Sequence, residues 1–155
     1  MKIEIINIGT TNTPYYKEAC FDYNKKISYF ANVKETIIKE QNFSDIKKTI
    51  KSESDKIIEI LNQRKDSYKI LLDLQGQELD SIKLSSIINE QKNIGKANIV
   101  FIIGGSNGVN DDVRKICNFR WSLSKLTLPH MLAKTVLYEQ IFRSFKIINN
   151  QTYHK

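Results

Sequence analysis

The chain has 155 residues, 41% of them hydrophobic and 26% charged, with six glycines and two prolines; that is one domain's worth of ordinary globular sequence, and it excludes a disordered, collagenous or low-complexity chain. The longest apolar run, Ile99 to Ile103, is far below the ~20 residues of a membrane-spanning helix, and the N-terminus MKIEIINIG has no signal-peptide profile, so a cytoplasmic protein with no membrane partner is expected. The net charge of +7, from 24 basic and 17 acidic residues, directs attention to polyanionic partners.

Residues 2–8 are short and β-branched and predict a strand. Gly9 to Thr13 carry turn chemistry, with Thr13 as N-cap and Pro14 in the first turn of a helix. Val33 to Lys39 reads as a second strand. Ser44 to about Arg64 reads as a charged helix, because Ile46, Ile50, Ile57 and Leu61 recur at helical spacing. Residues 68–74 form a third strand, which Gln75-Gly76 is expected to end. Asp80 or Ser81 caps a helix carrying Leu84, Ile87 and Ile88, and Gly95 precedes a fourth strand from Ala97 to Ile103. Then come Gly104-Gly105-Ser106-Asn107-Gly108, a short helix from about Asn110 to Ile116, a strand around Arg120 to Leu123, and a long helix from Pro129. The βαβα alternation, with unbroken apolar runs at 70–72 and 99–103, predicts a single α/β domain over residues 1–155 with a mostly parallel sheet covered by helices.

In the last helix the apolar residues between Leu132 and Ile148 spread over more than half the circumference, leaving Thr135, Glu139, Arg143 and Lys146 on a narrow stripe. Such a helix either runs through the middle of the domain or packs against a second copy, and in a chain this short a homodimer is the expectation. Cys20 and Cys117 lie far apart with no second Cys or nearby His, and His130 and His154 sit at no ligand spacing, so two buried thiols and no metal are expected. The charge is segregated along the chain. Residues 1–112 hold 16 basic and 16 acidic groups, whereas 113–155 hold eight basic groups against Glu139 alone, which points to RNA or DNA.

Ligands of open α/β sheets lie beyond the carboxyl ends of the strands, and the loops there are Leu72 to Gly76, Gly104 to Gly108 and Leu123 to Pro129. Gly104 and Gly105 let the main chain approach a ligand, although the run matches neither the dinucleotide fingerprint nor the phosphate loop, and a tight turn would explain it equally. His130 beside Pro129 reads more simply as a packed or capping imidazole. Glu139 and Arg143 are an i, i+4 pair on the polar stripe. The closing Gln151-Thr152-Tyr153-His154-Lys155 has the look of a frayed tail, but its aromatic ring, imidazole and cation are the groups a nucleobase site needs.

Gly104-Gly-Ser-Asn-Gly108, Ser122-Leu-Ser-Lys-Leu-Thr-Leu-Pro-His130, Tyr138-Glu-Gln-Ile-Phe-Arg143 and Tyr153-His154-Lys155 together resemble the ribosomal RNA large subunit methyltransferase H family of the SPOUT methyltransferases. The likeness runs from the first strand to the last residue, and these four ordered motifs together carry it. It implies a homodimer with a C-terminal trefoil knot, and transfer of a methyl group from S-adenosylmethionine (S-adenosyl-L-methionine) to N3 of a pseudouridine in 23S rRNA of assembled ribosomes. Carried over by position, the cofactor contacts are Leu72, Gly104, Leu123, Ser124, Lys125, Leu126, Thr127 and Leu128. For that reaction the residues themselves lead to an expectation of catalysis at the tail, with His154 helping to remove the N3 proton, Tyr153 stacking on or orienting the base, and Arg143 steadying developing charge or a phosphate. Family members usually have Arg four residues after the histidine, and this chain has Lys134, which keeps the charge and loses the bidentate fork. The competing class is a basic RNA-binding or ribosome-associated module without chemistry, in which the glycine run is only a turn.

Overall fold

The computed structural model describes residues 1–10, 12–95 and 98–154. In chain order the elements are β1 (Lys2–Ile8), α1 (Pro14–Ile27), β2 (Asn32–Ile38), α2 (Ile46–Asn62), β3 (Tyr68–Glu78), α3 (Ser81–Asn93), β4 (Asn98–Ile103), α4 (Asp111–Ile116), β5 (Phe119–Ser122) and α5 (His130–Ile148). The expected α/β architecture is present. Five strands pair in the order β2-β1-β4-β3-β5, and every pairing is parallel. Thr11 in the first turn and Ala97, the expected start of the fourth strand, lie outside the described residues.

The two central strands are apolar because both their faces are covered. In β1 all residues after Lys2 are buried, and so are all of β4 after Asn98. On one face Ile3, Ile5, Ile99, Phe101, Ile70 and Trp121 meet α1, α3 and α5; on the other Ile6, Ile8, Val100, Ile102 and Leu71 meet α2 and α4. Each fully buried Ile, Leu or Phe contributes roughly 1.5–3 kcal/mol relative to exposure. Asp45, Asp80 and Asn110 start α2, α3 and α4 by accepting backbone N–H bonds from Lys47, Lys83 and Val113. Thr13 has the N-cap backbone shape but its hydroxyl makes no capping bond, so Pro14 with its fixed φ carries the start of α1.

Two expectations change. Gln75-Gly76 does not end the third strand: Leu72 and Gln77 both register on Trp121, so residues 73–76 form a bulge and β3 resumes to Glu78. Helix α5 lies against both α1 and α3 over the sheet, and its wide apolar circumference is thereby largely covered inside one chain. Cys20 is buried as expected, with Sγ 3.6 Å from Thr135 Oγ1, whereas Cys117 is only half-buried. Among the described residues no helix is long and apolar enough to cross a membrane.

Candidate functional site

The loops after β3, β4 and β5 open on one cavity of about 570 Å³ at the carboxyl ends of the strands. That volume lies in the range of sites that take small organic ligands, ~300–1,000 Å³. Leu72, Gly104, Leu123, Ser124, Leu126, Thr127 and Leu128 all border it, while Lys125 stands exposed outside the lining. The loop from Leu123 is shaped by its own hydroxyls: Ser122 Oγ donates to Ser124 O at 2.8 Å, and Leu126 N–H donates to Ser124 Oγ at 3.0 Å.

The glycine turn closes with Gly108 N–H donating to Gly105 O at 2.9 Å, and Gly108 itself has φ +79°. A Cβ on Gly104 would come within 2.8 Å of Val109 Cγ1, so the turn is drawn against its own neighbour. Beneath it, α2 supplies two buried groups. Ser54 Oγ accepts from Asn110 N–H at 3.0 Å, and Glu53 accepts from Gln41 N–H at 2.8 Å with its other oxygen against Gly105. Burial raises the Glu53 carboxyl above its ordinary value, and nearby Glu40 pushes the same way.

The bulge carries Asp73, which the sequence reading passed over. Its Oδ2 accepts from Arg114 at 3.1 Å and from Arg120 at 2.9 Å, tying the β3 bulge to α4 and β5. Burial would raise this carboxyl, but bonds from Gln75 N–H, Arg120 and Arg114 outweigh it and hold it below the usual range. No sequence period signals such a contact, since its two arginine partners lie 41 and 47 residues further along the chain.

Two buried polar atoms at the cavity have no partner among the described residues, Trp121 Nε1 and His130 Nε2. Trp121 is 3% exposed, so its indole N–H has given up water with nothing gained in return. His130 is held neutral by burial and by Lys134 nearby, against a backbone bond to Gly104 that works the other way. Lys134, where the resemblance expects Arg, is 3% exposed and paired with Glu35 of β2. It therefore serves the α5–sheet contact.

The tail groups are elsewhere. A Schellman turn ends α5: Gln151 N–H donates to Lys146 O at 2.9 Å, Asn150 N–H donates to Ile147 O at 3.0 Å, and Asn150 takes φ 51°. This reversal folds Tyr153 back on the helix, edge-on to Phe142 with ring centroids 5.0 Å apart and under the Arg143 guanidinium at 4.6 Å. Glu139 holds the group together, accepting from Arg143 at 2.6 Å, from Gln140 at 2.6 Å and from the Tyr153 hydroxyl at 3.3 Å. Arg143 Nη1 lies 3.4 Å from His154 Nδ1; arginine can only donate, so Nδ1 accepts and a neutral ring carries its proton on Nε2. Burial, with Tyr23 and Glu139 close by, pushes the Tyr153 phenol up to about 12, so it is a donor at neutral pH. Lys155 lies outside the described residues. His130 and Arg143 stand at opposite ends of α5, roughly 20 Å apart at 1.5 Å per residue, so one chain does not bring its own tail to its own cavity.

The C-terminal charge excess is also reorganised. Arg114 and Arg120 are spent on Asp73, Arg114 also on Asp111, Lys134 on Glu35, and Arg143 on Glu139. Arg114, Arg120 and Lys134 thus pair with acids of the earlier segment and Arg143 with Glu139 of its own, while Lys125 stands exposed and the net positive balance of the segment stays.

A family model described as "Predicted SPOUT methyltransferase" matches residues 1–154. The chain is 43% identical over 155 residues to ribosomal RNA large subunit methyltransferase H of Pseudothermotoga lettingae, with 99% of each chain covered. It is 40% identical over 158 residues to the protein of that name from Fusobacterium nucleatum, with 100% of each covered. Among solved structures it is similar in fold to the SpoU methyltransferase AviRb of Streptomyces viridochromogenes, at TM-score 0.51 and 13% identity, covering 97% of this chain and 62% of that one.

Proposed function

The chain belongs to the SPOUT methyltransferase family and, within it, to the ribosomal RNA large subunit methyltransferase H group, and from that premise we propose that it methylates N3 of a pseudouridine in 23S rRNA of the assembled ribosome, with S-adenosylmethionine as donor. One observation carries the reading: three loops from separate strands enclose a single cavity that leaves Trp121 Nε1 and His130 Nε2 buried and unpartnered. An adenosine-bearing ligand suits that lining. Leu72, Leu123, Leu126 and Leu128 offer apolar surface, and Gly104 leaves the main chain bare where a purine edge or ribose would bond. When bound, S-adenosylmethionine supplies an electrophilic methyl carbon on a sulfonium.

The nucleophile is N3, which must lose its proton before its lone pair can attack in line, so positioning dominates the rate. We assign Tyr153 to orienting the base, Arg143 to a phosphate or the developing charge, and His154 to the N3 proton. For that last role Nδ1 must exchange Arg143 for the substrate, because in the free protein the ring presents a donor. The separation along α5 supports a homodimer in which the tail of one copy serves the cavity of the other. The reading includes the trefoil crossing of the C-terminal half that the resemblance implies.

Removing Tyr153 to Lys155 should lower methyl transfer by at least ~100-fold while calorimetric affinity for S-adenosylmethionine changes less than about twofold. Undiminished turnover would remove the tail from the mechanism. No binding heat in the intact chain would instead favour an RNA-binding module without chemistry. Mass spectrometry of rRNA from cells lacking the chain should show one missing methyl on a pseudouridine.

A further inference from the structure

Positive charge also gathers at the opposite rim of the sheet, away from the C-terminal segment. A cleft of about 450 Å³ opens at the amino ends of β1, β2 and β4, bordered by Lys2, Lys34, Arg64 and Lys65. Its acids are Glu4 and Asp66. Glu4 is taken up by Arg64, with Nε–Oε2 at 2.7 Å, and burial's tendency to raise it is overcome by that partner and by Thr36. Lys34, 3.8 Å from the same carboxylate, keeps a side chain 65% exposed, and Lys2 and Lys65 are exposed. Asn32 also borders a second groove, between α1 and β2, which holds Phe21, Asn24, Lys25 and Ser28. Phe21 is 72% exposed and Tyr29, at the end of that groove's helix, is 80% exposed.

Large aromatic rings left in water beside lysines and amides are costly unless something stacks on them, and bases stack on rings while phosphates take ammonium groups. We infer that the joined grooves at Asn32 form a second RNA-contacting surface, remote from the methyl-transfer cavity, that takes a single-stranded segment with bases on Phe21 and Tyr29 and phosphates on Lys25, Lys34 and Lys65. Five basic side chains against two acidic ones line the two grooves, and one acid is already neutralised, which suits a polyanion better than a second copy of this chain. Contact at this rim would hold the substrate particle by a strand outside the target loop. The inference rests on the rRNA-substrate reading.

The test uses the full chain, a fluorescein-labelled oligouridine of about 12 nucleotides and anisotropy at several salt concentrations. The double variant Lys25→Glu, Lys34→Glu should weaken binding at least about tenfold and reduce the slope of log affinity against log salt by roughly 1.4, the value for two lost single-strand phosphate contacts. Phe21→Ala, Tyr29→Ala should weaken binding about tenfold or more with the slope unchanged. All four positions are on the surface; melts of Phe21→Ala, Tyr29→Ala should overlay the parent's, and Lys25→Glu, Lys34→Glu, which sets a carboxylate against Glu4, should melt slightly lower while still folding. Affinity and slope unmoved in both variants would overturn the inference, as would a shift of Phe21→Ala, Tyr29→Ala from dimer to monomer in sedimentation, which would give this face to a second copy. S-adenosylmethionine calorimetry on the same samples separates the two readings: lost donor binding with intact RNA effects sinks the methyltransferase, and the reverse sinks this surface.

Discussion

Asp73 shows what a single carboxylate does when two cations converge on it. Replacing it with Ala would leave Arg114 and Arg120 crowded around an apolar gap, and urea unfolding should show a loss of about 1–3 kcal/mol, the lower part of the range for broken buried pairs because both arginines are partly exposed. Its folded pKa lies below the ordinary 3.8, so its contribution is complete above that value and is lost as pH falls through the lower folded one. Asp73→Asn should therefore flatten the acid limb of the stability curve. Glu53 has the opposite sign: its raised carboxyl costs stability at neutral pH and recovers it on acidification. Neither role was legible in the sequence, because only the fold brings Arg120 or Gln41 to them. The cavity-facing loop residues were legible, since parallel strands put their carboxyl ends on one edge; Lys125 departs from the group and stands exposed outside the lining.

At the level of elements, the β3–β5 pairing depends on a position without a side chain. A Cβ on Gly76 would stand 2.6 Å from both the carbonyl carbon and oxygen of Arg120, so Gly76→Ala must push two backbones apart. A cost of ~2 kcal/mol or more is expected, with faster hydrogen exchange confined to β5 and the bulge. Gly-after-Gln reads as a stop signal in one dimension; the strand survives because the extra residues form a bulge and the ladder resumes on the same partner, Trp121. In α5, the width of the apolar face correctly announced a helix with more than one neighbour, but periodicity cannot tell whether those neighbours are α1 and α3 or another chain. The narrow polar stripe was equally visible, and its geometry gives it a function: Glu139→Gln should release Arg143 and the tail, cutting turnover about tenfold while costing only ~0.5 kcal/mol of stability and leaving donor affinity unchanged.

Taken as a whole, the molecule has its two proposed reactive ends at opposite termini of one helix, which makes the proposed enzyme's activity a property of a pair. Mixing a chain shortened before Tyr153 with a chain whose cavity is blocked by Gly104→Leu should restore up to about a quarter of wild-type turnover, since random association makes about half of all dimers mixed and each mixed dimer has one complete site. Either parent alone should be inactive, and no recovery on mixing would place tail and cavity within one chain. The net charge was legible at this scale and its pairing was not, because only the fold brings Asp73 to Arg114 and Arg120 and Glu35 to Lys134.

The position of α5 has a further consequence for how the protein comes into being. It is the last element to be synthesised, yet it fills the furrow between the first and third helices and covers Ile5, Phe101 and Ile70 of the sheet. Until it arrives, the nascent polypeptide carries an uncovered oily trough, which is a natural resting place for a chaperone.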